Sequence, residues 1–112
     1  MDDGPRIDDP TDVGSPSALR NALVDQLKSR RQLEDPRVET AFRAVPRHLF
    51  LPEFPIASAY EDQGFVTKSQ DGVFLSSATG PSAMAYMLQN LNLCPGHHVL
   101  EIGAGRVTTP PL

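Results

Sequence analysis

The chain has 112 residues, the size of one small domain, and its 39% hydrophobic and 21% charged residues exclude disorder along the whole length. The net charge of −4 resides in residues 1–12, where Arg6 alone offsets five aspartates, so the rest is neutral and lacks the basic footprint of a nucleic-acid-binding protein. The single cysteine, Cys94, excludes an internal disulfide. No apolar run reaches the ~18 residues of a membrane span and the acidic N-terminus lacks secretory features, so we predict a cytoplasmic protein without nucleic-acid or membrane partners.

The first third of the chain predicts a leader followed by two helices. Residues 1–16, rich in Asp, Pro and Gly, predict a disordered acidic leader. A helix should begin near Ser15 to Ser17, where a hydroxyl can cap the first amides, and Asp35-Pro36 should begin a second helix that Pro46 ends. Apolar side chains at helical spacing give each helix one buried face: Leu19, Leu23, Val24 and Leu27 in the first, and Val38, Ala41, Phe42 and Val45 in the second.

The middle of the chain predicts an irregular segment, a hairpin and a third helix. Residues 46–60 hold three prolines among many apolar side chains and should be irregular but buried. Within residues 65–77, Asp71-Gly72 tolerates the positive φ of a tight turn between two short strands. Gly80-Pro81 should begin the third helix, whose apolar face comprises Met84, Met87, Leu88 and Leu91.

The last predicted elements are a short apolar strand at residues 97–102 and a glycine turn, Gly103-Ala104-Gly105. Glycines let the backbone turn sharply and let a ligand approach it closely. Glu101, two residues before the first glycine, is typical of S-adenosylmethionine-dependent methyltransferases; a plain glycine loop that ends the strand is the alternative. A buried strand of this kind is followed by a helix and further strands in an α/β fold. The sequence given after Gly105 predicts none of these elements.

Four segments, in their order and spacing, resemble one family. They are DPRVETAFRAVPRHLFLPE (35–53), AYED (59–62), GPSAMAYMLQNL (80–91) and PGHHVLEIGAG (95–105), and they resemble the N-terminal half of protein-L-isoaspartate O-methyltransferase. The resemblance implies an α/β fold, the N-terminal portion of a Rossmann-like S-adenosylmethionine-dependent methyltransferase truncated after its first core strand. Residues 17–96 would be a helical and hairpin region on the substrate side, and residues 97–112 the first strand and glycine loop of an incomplete methyltransferase domain.

The activity implied by the resemblance is methyl transfer from S-adenosylmethionine to an isoaspartyl carboxylate of a damaged protein or peptide, which begins its repair. A carboxylate is ionised near neutral pH, so the reaction needs neither a strong base nor a metal. The family's active-site serine falls by position on Thr79, whose hydroxyl would orient the carboxylate. Ser76 and Ser77 are alternatives, and so is a Thr79 that only caps the third helix. The resemblance places the cofactor at Glu101, Gly103 and Gly105.

Two departures from the family leave alternatives open. The segment VTKSQDGVFLSSATGP (66–81) is more similar to a branch that methylates aspartate in lanthipeptide precursors, so such a peptide is an alternative substrate. The ending RVTTPPL (106–112) lacks the family's continuation, and Pro110-Pro111 cannot continue a helix, which indicates a truncated or frameshifted gene product. An inactive fragment or a binding module of the same family is therefore the alternative to an enzyme.

The remaining polar candidates predict structural roles. His97 and His98 should face opposite sides of a strand with no third ligand at metal spacing, so we predict no metal site. His48 should be buried and hydrogen-bonded, and Cys94 has no activating neighbour in the sequence. Tyr60-Glu61-Asp62 indicates solvated charge, with the border of a peptide cleft as the alternative.

Overall fold

The computed structural model describes residues 14–105, which form a small α/β arrangement. In chain order its elements are α1 (Pro16–Ser29), α2 (Pro36–Ala44), the 3-10 helix Arg47–Phe50, α3 (Ile56–Ala59), β1 (Phe65–Gln70), β2 (Val73–Ala78) and α4 (Pro81–Leu91). None of the helices in this range is both long and apolar enough to cross a membrane. Most of the predicted leader and all of the RVTTPPL ending lie outside the described residues.

Helices α1 and α2 begin where their capping residues predict. The Ser15 hydroxyl accepts a hydrogen bond from the Ala18 amide at 3.1 Å, and Pro16 occupies the first turn, where no amide donor is required. The Asp35 carboxylate accepts a hydrogen bond from the Arg37 amide at 2.8 Å. Ser15 and Pro16 are both buried, and both fall within residues 1–16, the predicted leader. The first helix and its cap therefore begin inside that stretch.

A cluster of buried side chains joins the helices to the end of the hairpin. Helix α1 contributes Leu23, Val24 and Leu27, and α2 contributes Val38, with Leu19 and Phe42 packed against them. The apolar faces predicted for these two helices are therefore confirmed. The other members come from the connecting segments, the end of β2 and α4: Leu33, Leu51, Ala59, Tyr60, Ala78 and Ala85.

The segment between α2 and β1 is irregular, as predicted, but only part of it is buried. Leu51 is fully buried, and the rings of Phe54 and Phe65 lie 4.4 Å apart between centroids. Leu49 and Ile56 remain exposed, so the expectation of a buried segment is wrong at these positions. The reason is that each lies in a single helical turn, which points consecutive side chains in different directions.

Strands β1 and β2 pair antiparallel around Asp71-Gly72, as predicted. Both turn residues have positive φ, 53° and 77°, as a two-residue hairpin turn of this type requires. Ala78, at the open end of the hairpin, is buried, whereas Phe74, near the turn, is exposed. The hairpin thus joins the core at one end only.

Helix α4 packs on the core with a face rotated from the predicted one. Met84 and Ala85 are buried, whereas Met87 and Leu91, both predicted on the apolar face, are 51% and 52% exposed. The prediction is wrong for these two residues because it counted apolar side chains only and overlooked a polar one, Gln89, on the packed side.

Gln89 links α4 to the loop between α1 and α2. Its Oε1 accepts hydrogen bonds from the amides of Glu34 and Asp35 at 2.7 and 2.9 Å, and its Nε2 donates to the Gln32 carbonyl at 2.9 Å. Backbone groups outside helices need such partners when they are shielded from water. Gln89 therefore sets which side of α4 faces the core.

Residues 97–102 form no strand, which corrects the prediction of a core strand there. They have no regular secondary structure, and Leu100 and Ile102 are 84% and 88% exposed. A strand forms only with a neighbour to accept and donate its backbone hydrogen bonds. Within residues 14–105 the sheet consists of β1 and β2, and neither pairs with this segment.

Candidate active site

Thr79 lies in the link between β2 and α4, and its backbone is anchored by a distant side chain. The Arg47 Nη2 donates a hydrogen bond to the Thr79 carbonyl at 3.1 Å, and the Arg47 Nε donates to the Ala59 carbonyl at 2.9 Å. Thr79 itself is exposed. The link therefore presents a hydroxyl-bearing residue to solvent while its main chain is tied to the 3-10 helix.

Arg47 is a buried charge, only 5% exposed, at the first position of the 3-10 helix. Burial lowers the pKa of Arg47 because the charged guanidinium loses its hydration, while nearby Tyr60 and Asp62 favour the charged form and oppose that lowering. Buried charges persist where polar partners replace water, and backbone carbonyls do so here. Sequence reasoning missed this residue; the available signal was an arginine within a segment predicted to be buried.

The first turn of α4 is capped by Asp62 rather than by Thr79. The residue at the N-cap position is Gly80, which has no capping side chain, and the Asp62 Oδ1 accepts a hydrogen bond from the Ser82 amide at 2.8 Å. The alternative in which Thr79 only caps this helix is therefore wrong. Asp62 was predicted as solvated charge or as the border of a cleft, and its capping role was not predicted because its partner lies 20 positions away in the sequence.

The glycine turn reaches the end of β2. Gly103 and Gly105 have φ of 72° and 64°, a region that side chains disfavour. A Cβ on Gly105 would lie 2.6 Å from the Ser77 carbonyl oxygen and 3.7 Å from the Ser76 hydroxyl oxygen. The structure thus brings the predicted cofactor residue Gly105 beside the two alternative serines, of which Ser77 lies two residues before Thr79.

The fit of a cofactor to this turn differs between its two glycines. Nothing lies within 4 Å of the place a Cβ would take on Gly103, so a ligand can approach that backbone closely. At Gly105 the same place is filled by Ser77. Glu101 is exposed and makes no hydrogen bond or ion pair within residues 14–105. The backbone at Gly103 is thus open, whereas the strand that would wall a pocket is not formed.

His48 and Tyr60 form a hydrogen-bonded pair beneath the site. The His48 Nδ1 lies 2.8 Å from the Tyr60 hydroxyl, which also accepts a hydrogen bond from the Arg20 Nη1 at 3.1 Å. Tyr60 is buried and His48 is partly buried. The predicted hydrogen bonding of His48 is confirmed, its predicted burial is only partial, and the solvated role predicted for residues 60–62 is wrong at Tyr60.

The other histidines and the cysteine form a local turn. The His97 Nδ1 accepts a hydrogen bond from the Cys94 amide at 3.1 Å, and both residues are exposed, as is His98. In the described part of the chain, no three His, Cys, Asp or Glu residues are grouped so that they could hold a metal ion.

Comparison with known proteins identifies a family for the chain. The family model described as Protein-L-isoaspartate(D-aspartate) O-methyltransferase (PCMT) matches residues 18–108. A protein-L-isoaspartate O-methyltransferase of Herpetosiphon aurantiacus is 40% identical over 87 residues, 77% of this chain and 36% of the relative. One of Rhodopseudomonas palustris is 39% identical over 94 residues, 84% of this chain and 36% of the relative. No solved structure matches the chain.

The family model covers most of the chain, and the proteins that it describes are methyltransferases. The chain belongs to the protein-L-isoaspartate O-methyltransferase family. It spans about a third of the length of the curated relatives it matches, from 33% to 37% in the proteins of Shewanella sediminis and Roseiflexus castenholzii.

Proposed function

We propose that this chain acts in the transfer of a methyl group from S-adenosylmethionine to an isoaspartyl carboxylate of a protein or peptide. Family membership supports the reaction class. The observation that carries the proposal is the meeting of the Gly105 turn with the end of β2 at Ser77, two residues before Thr79. A substrate-orienting hydroxyl and a glycine turn for the methyl donor would then lie on neighbouring segments.

In this proposal, Thr79 orients the substrate. Its hydroxyl donates a hydrogen bond to one carboxylate oxygen and leaves the other oxygen available as the nucleophile. The carboxylate is ionised at neutral pH and needs no base from the protein. The contribution of the chain would be positional, since it would hold the ionised carboxylate oxygen close to the methyl group that the bound cofactor supplies.

The proposed cofactor residues are Glu101, Gly103 and Gly105. When bound, S-adenosylmethionine supplies an electrophilic sulfonium methyl group. The open backbone at Gly103 suits close approach, and the exposed Glu101 carboxylate is an acceptor for polar groups of the cofactor's amino-acid end or ribose. Residues 17–96 would bind the substrate, and residues 97–112 would bind the cofactor. Together they would form the N-terminal portion of a Rossmann-like methyltransferase domain in a cytoplasmic enzyme.

A second candidate is a binding module without catalysis. The exposure of Leu100 and Ile102 and the absence of a strand at residues 97–102 favour it, because an unformed pocket wall cannot exclude water from the reaction. An aspartyl side chain of a lanthipeptide precursor remains the alternative acceptor for an active enzyme, since it offers the same carboxylate chemistry.

Calorimetric titration of the full chain with S-adenosylmethionine tests the proposal, with Gly103→Val as the matched variant. We expect binding by the wild type and its loss in Gly103→Val, because the side chain fills the open approach to the backbone. Methyl transfer is then measured with an isoaspartyl peptide and its aspartyl isomer. Absence of binding at millimolar cofactor would reject the enzyme and favour the module; preference for the aspartyl isomer would favour the precursor peptide.

A further inference from the structure

We propose that Arg47 and Asp62 are positioning residues that hold the Thr79 link from its two ends. The Thr79 link comprises Thr79, Gly80 and the first two residues of α4, and both Arg47 and Asp62 bind its backbone. This inference rests on the proposed function for the role of the Thr79 hydroxyl. The geometry of the link itself stands on contacts within residues 14–105.

Arg47 holds the first end. Its guanidinium donates hydrogen bonds to the carbonyls of Ala59 and Thr79 at 2.9 and 3.1 Å, and its Nη2 reaches the Gln63 carbonyl at 3.5 Å. A guanidinium is a planar fork with five donors, so one side chain can serve several carbonyls in fixed directions. A lysine, with one compact ammonium group, cannot reproduce that arrangement.

Asp62 holds the second end. Its carboxylate accepts a hydrogen bond from the Ser82 amide at 2.8 Å, at the N-terminus of α4, where a negative charge is favoured. The same carboxylate acts electrostatically on Arg47, so the two groups belong to one network. The link is thus bracketed by a cation on its carbonyl and an anion on its amide.

Between these two contacts, the backbone of Gln63 and Gly64 lies close to the backbone of residues 78–80. A Cβ on Gly64 would lie 3.0 Å from the Ala78 carbonyl oxygen, and a Cβ on Gly80 would lie 3.1 Å from the Gln63 carbonyl carbon. Such spacing is tighter than ordinary contact, so both glycines let the chains pass closely.

The consequence for catalysis is a hydroxyl ordered before the substrate arrives. Thr79 is exposed, yet its main chain is fixed on both sides, so binding a carboxylate does not pay to order the backbone. Because both contacts are to backbone atoms, they hold the link whichever hydroxyl residue occupies position 79.

Amide hydrogen exchange of the full chain tests this proposal in Arg47→Lys, Asp62→Ala and the matched control Asp62→Asn, which keeps the Oδ1 acceptor. The Ser82 amide bonds Asp62, and the Met84 amide bonds the Gly80 carbonyl at 3.0 Å. From the usual energies of a cap and of a hydrogen bond to a charge, we expect exchange of the Ser82 and Met84 amides to rise about fivefold in Asp62→Ala and about tenfold or more in Arg47→Lys. Exchange in α1 should stay within about twofold, and Asp62→Asn should resemble the wild type.

Methyl transfer separates this proposal from the proposed function. In an active wild type, Asp62→Ala should raise KM for the isoaspartyl peptide and leave KM for S-adenosylmethionine unchanged, with recovery in Asp62→Asn. An inactive wild type rejects the function, while the exchange data still decide the anchoring. Unchanged exchange of the Ser82 and Met84 amides, or an equal rise throughout α1 and α4, would overturn the role of Arg47 and Asp62.

Discussion

The place that a Cβ on Gly105 would take lies 2.6 Å from the Ser77 carbonyl oxygen. A real Cβ does not approach a backbone oxygen that closely, so the turn meets the end of β2 only because residue 105 has no side chain. Gly103 shares the positive φ but has open space around it. The contact that unites the two halves of the candidate site therefore depends on the absence of one methyl group.

Gly105→Ala should separate the glycine turn from β2. The added methyl group cannot fit against Ser77, so the amide resonances of Ser76 and Ser77 should move toward those of a free strand end. Gly103→Ala is the matched control, because it carries the same cost of positive φ, ~1–2 kcal/mol, without the clash. Two-dimensional NMR spectra check this, and equal shifts in both variants would contradict it.

The elements that the sequence predicts correctly are those with local causes. Ser15 and Asp35 cap helices with amides two or three residues ahead, and Asp71-Gly72 forms its turn from its own backbone preferences. Residues 97–102 were predicted wrongly because a strand depends on a partner elsewhere in the chain.

The candidate site shows the same division. The family resemblance drew attention to Thr79, whereas the glycine turn was recognised from its own residues. The roles of Arg47 and Asp62 were not predicted, because their hydrogen-bond partners lie 32 and 20 positions away and nothing in the local sequence shows such a pair. The rotation of α4 was missed for a similar reason, since Gln89 bonds residues 54 to 57 positions away.

Leu27→Ala should destabilise the fold strongly. Leu27 is fully buried in the cluster between the helices, and truncating such a leucine typically costs about 2–5 kcal/mol. Leu91→Ala makes the same chemical change at a residue that is 52% exposed and should cost well under about 1 kcal/mol. Urea unfolding followed by circular dichroism measures both. Similar losses at the two positions would mean that the core lies elsewhere.

Gln89→Ala should loosen α4 from the loop between α1 and α2. It removes the acceptor for the amides of Glu34 and Asp35 and the donor to Gln32, at a cost of about 1–3 kcal/mol. Gln89→Glu keeps the acceptor and should lose less. Gln70→Ala, at an exposed position of β1, controls for the loss of a glutamine. The free energy of unfolding in urea checks the ranking, which an equal effect of all three variants would contradict.

The stability of the helical part should fall in acid through Glu39. Hydrogen bonds from Lys28 and then from Arg43 lower the pKa of Glu39 below its ordinary 4.5, because both favour the ionised carboxylate. A carboxyl group with a lowered native pKa stabilises the fold above its unfolded pKa, and this contribution is lost as the pH falls through the native value. The wild-type Tm should therefore drop below pH 4.5, and Glu39→Gln should show a smaller drop.

Glu34→Gln is the control, since that exposed carboxylate forms no ion pair within residues 14–105. Thermal melts at half-unit steps from pH 3 to pH 7 measure the three curves; a Glu39→Gln curve parallel to the wild type would show that the Lys28 and Arg43 contacts do not couple to folding.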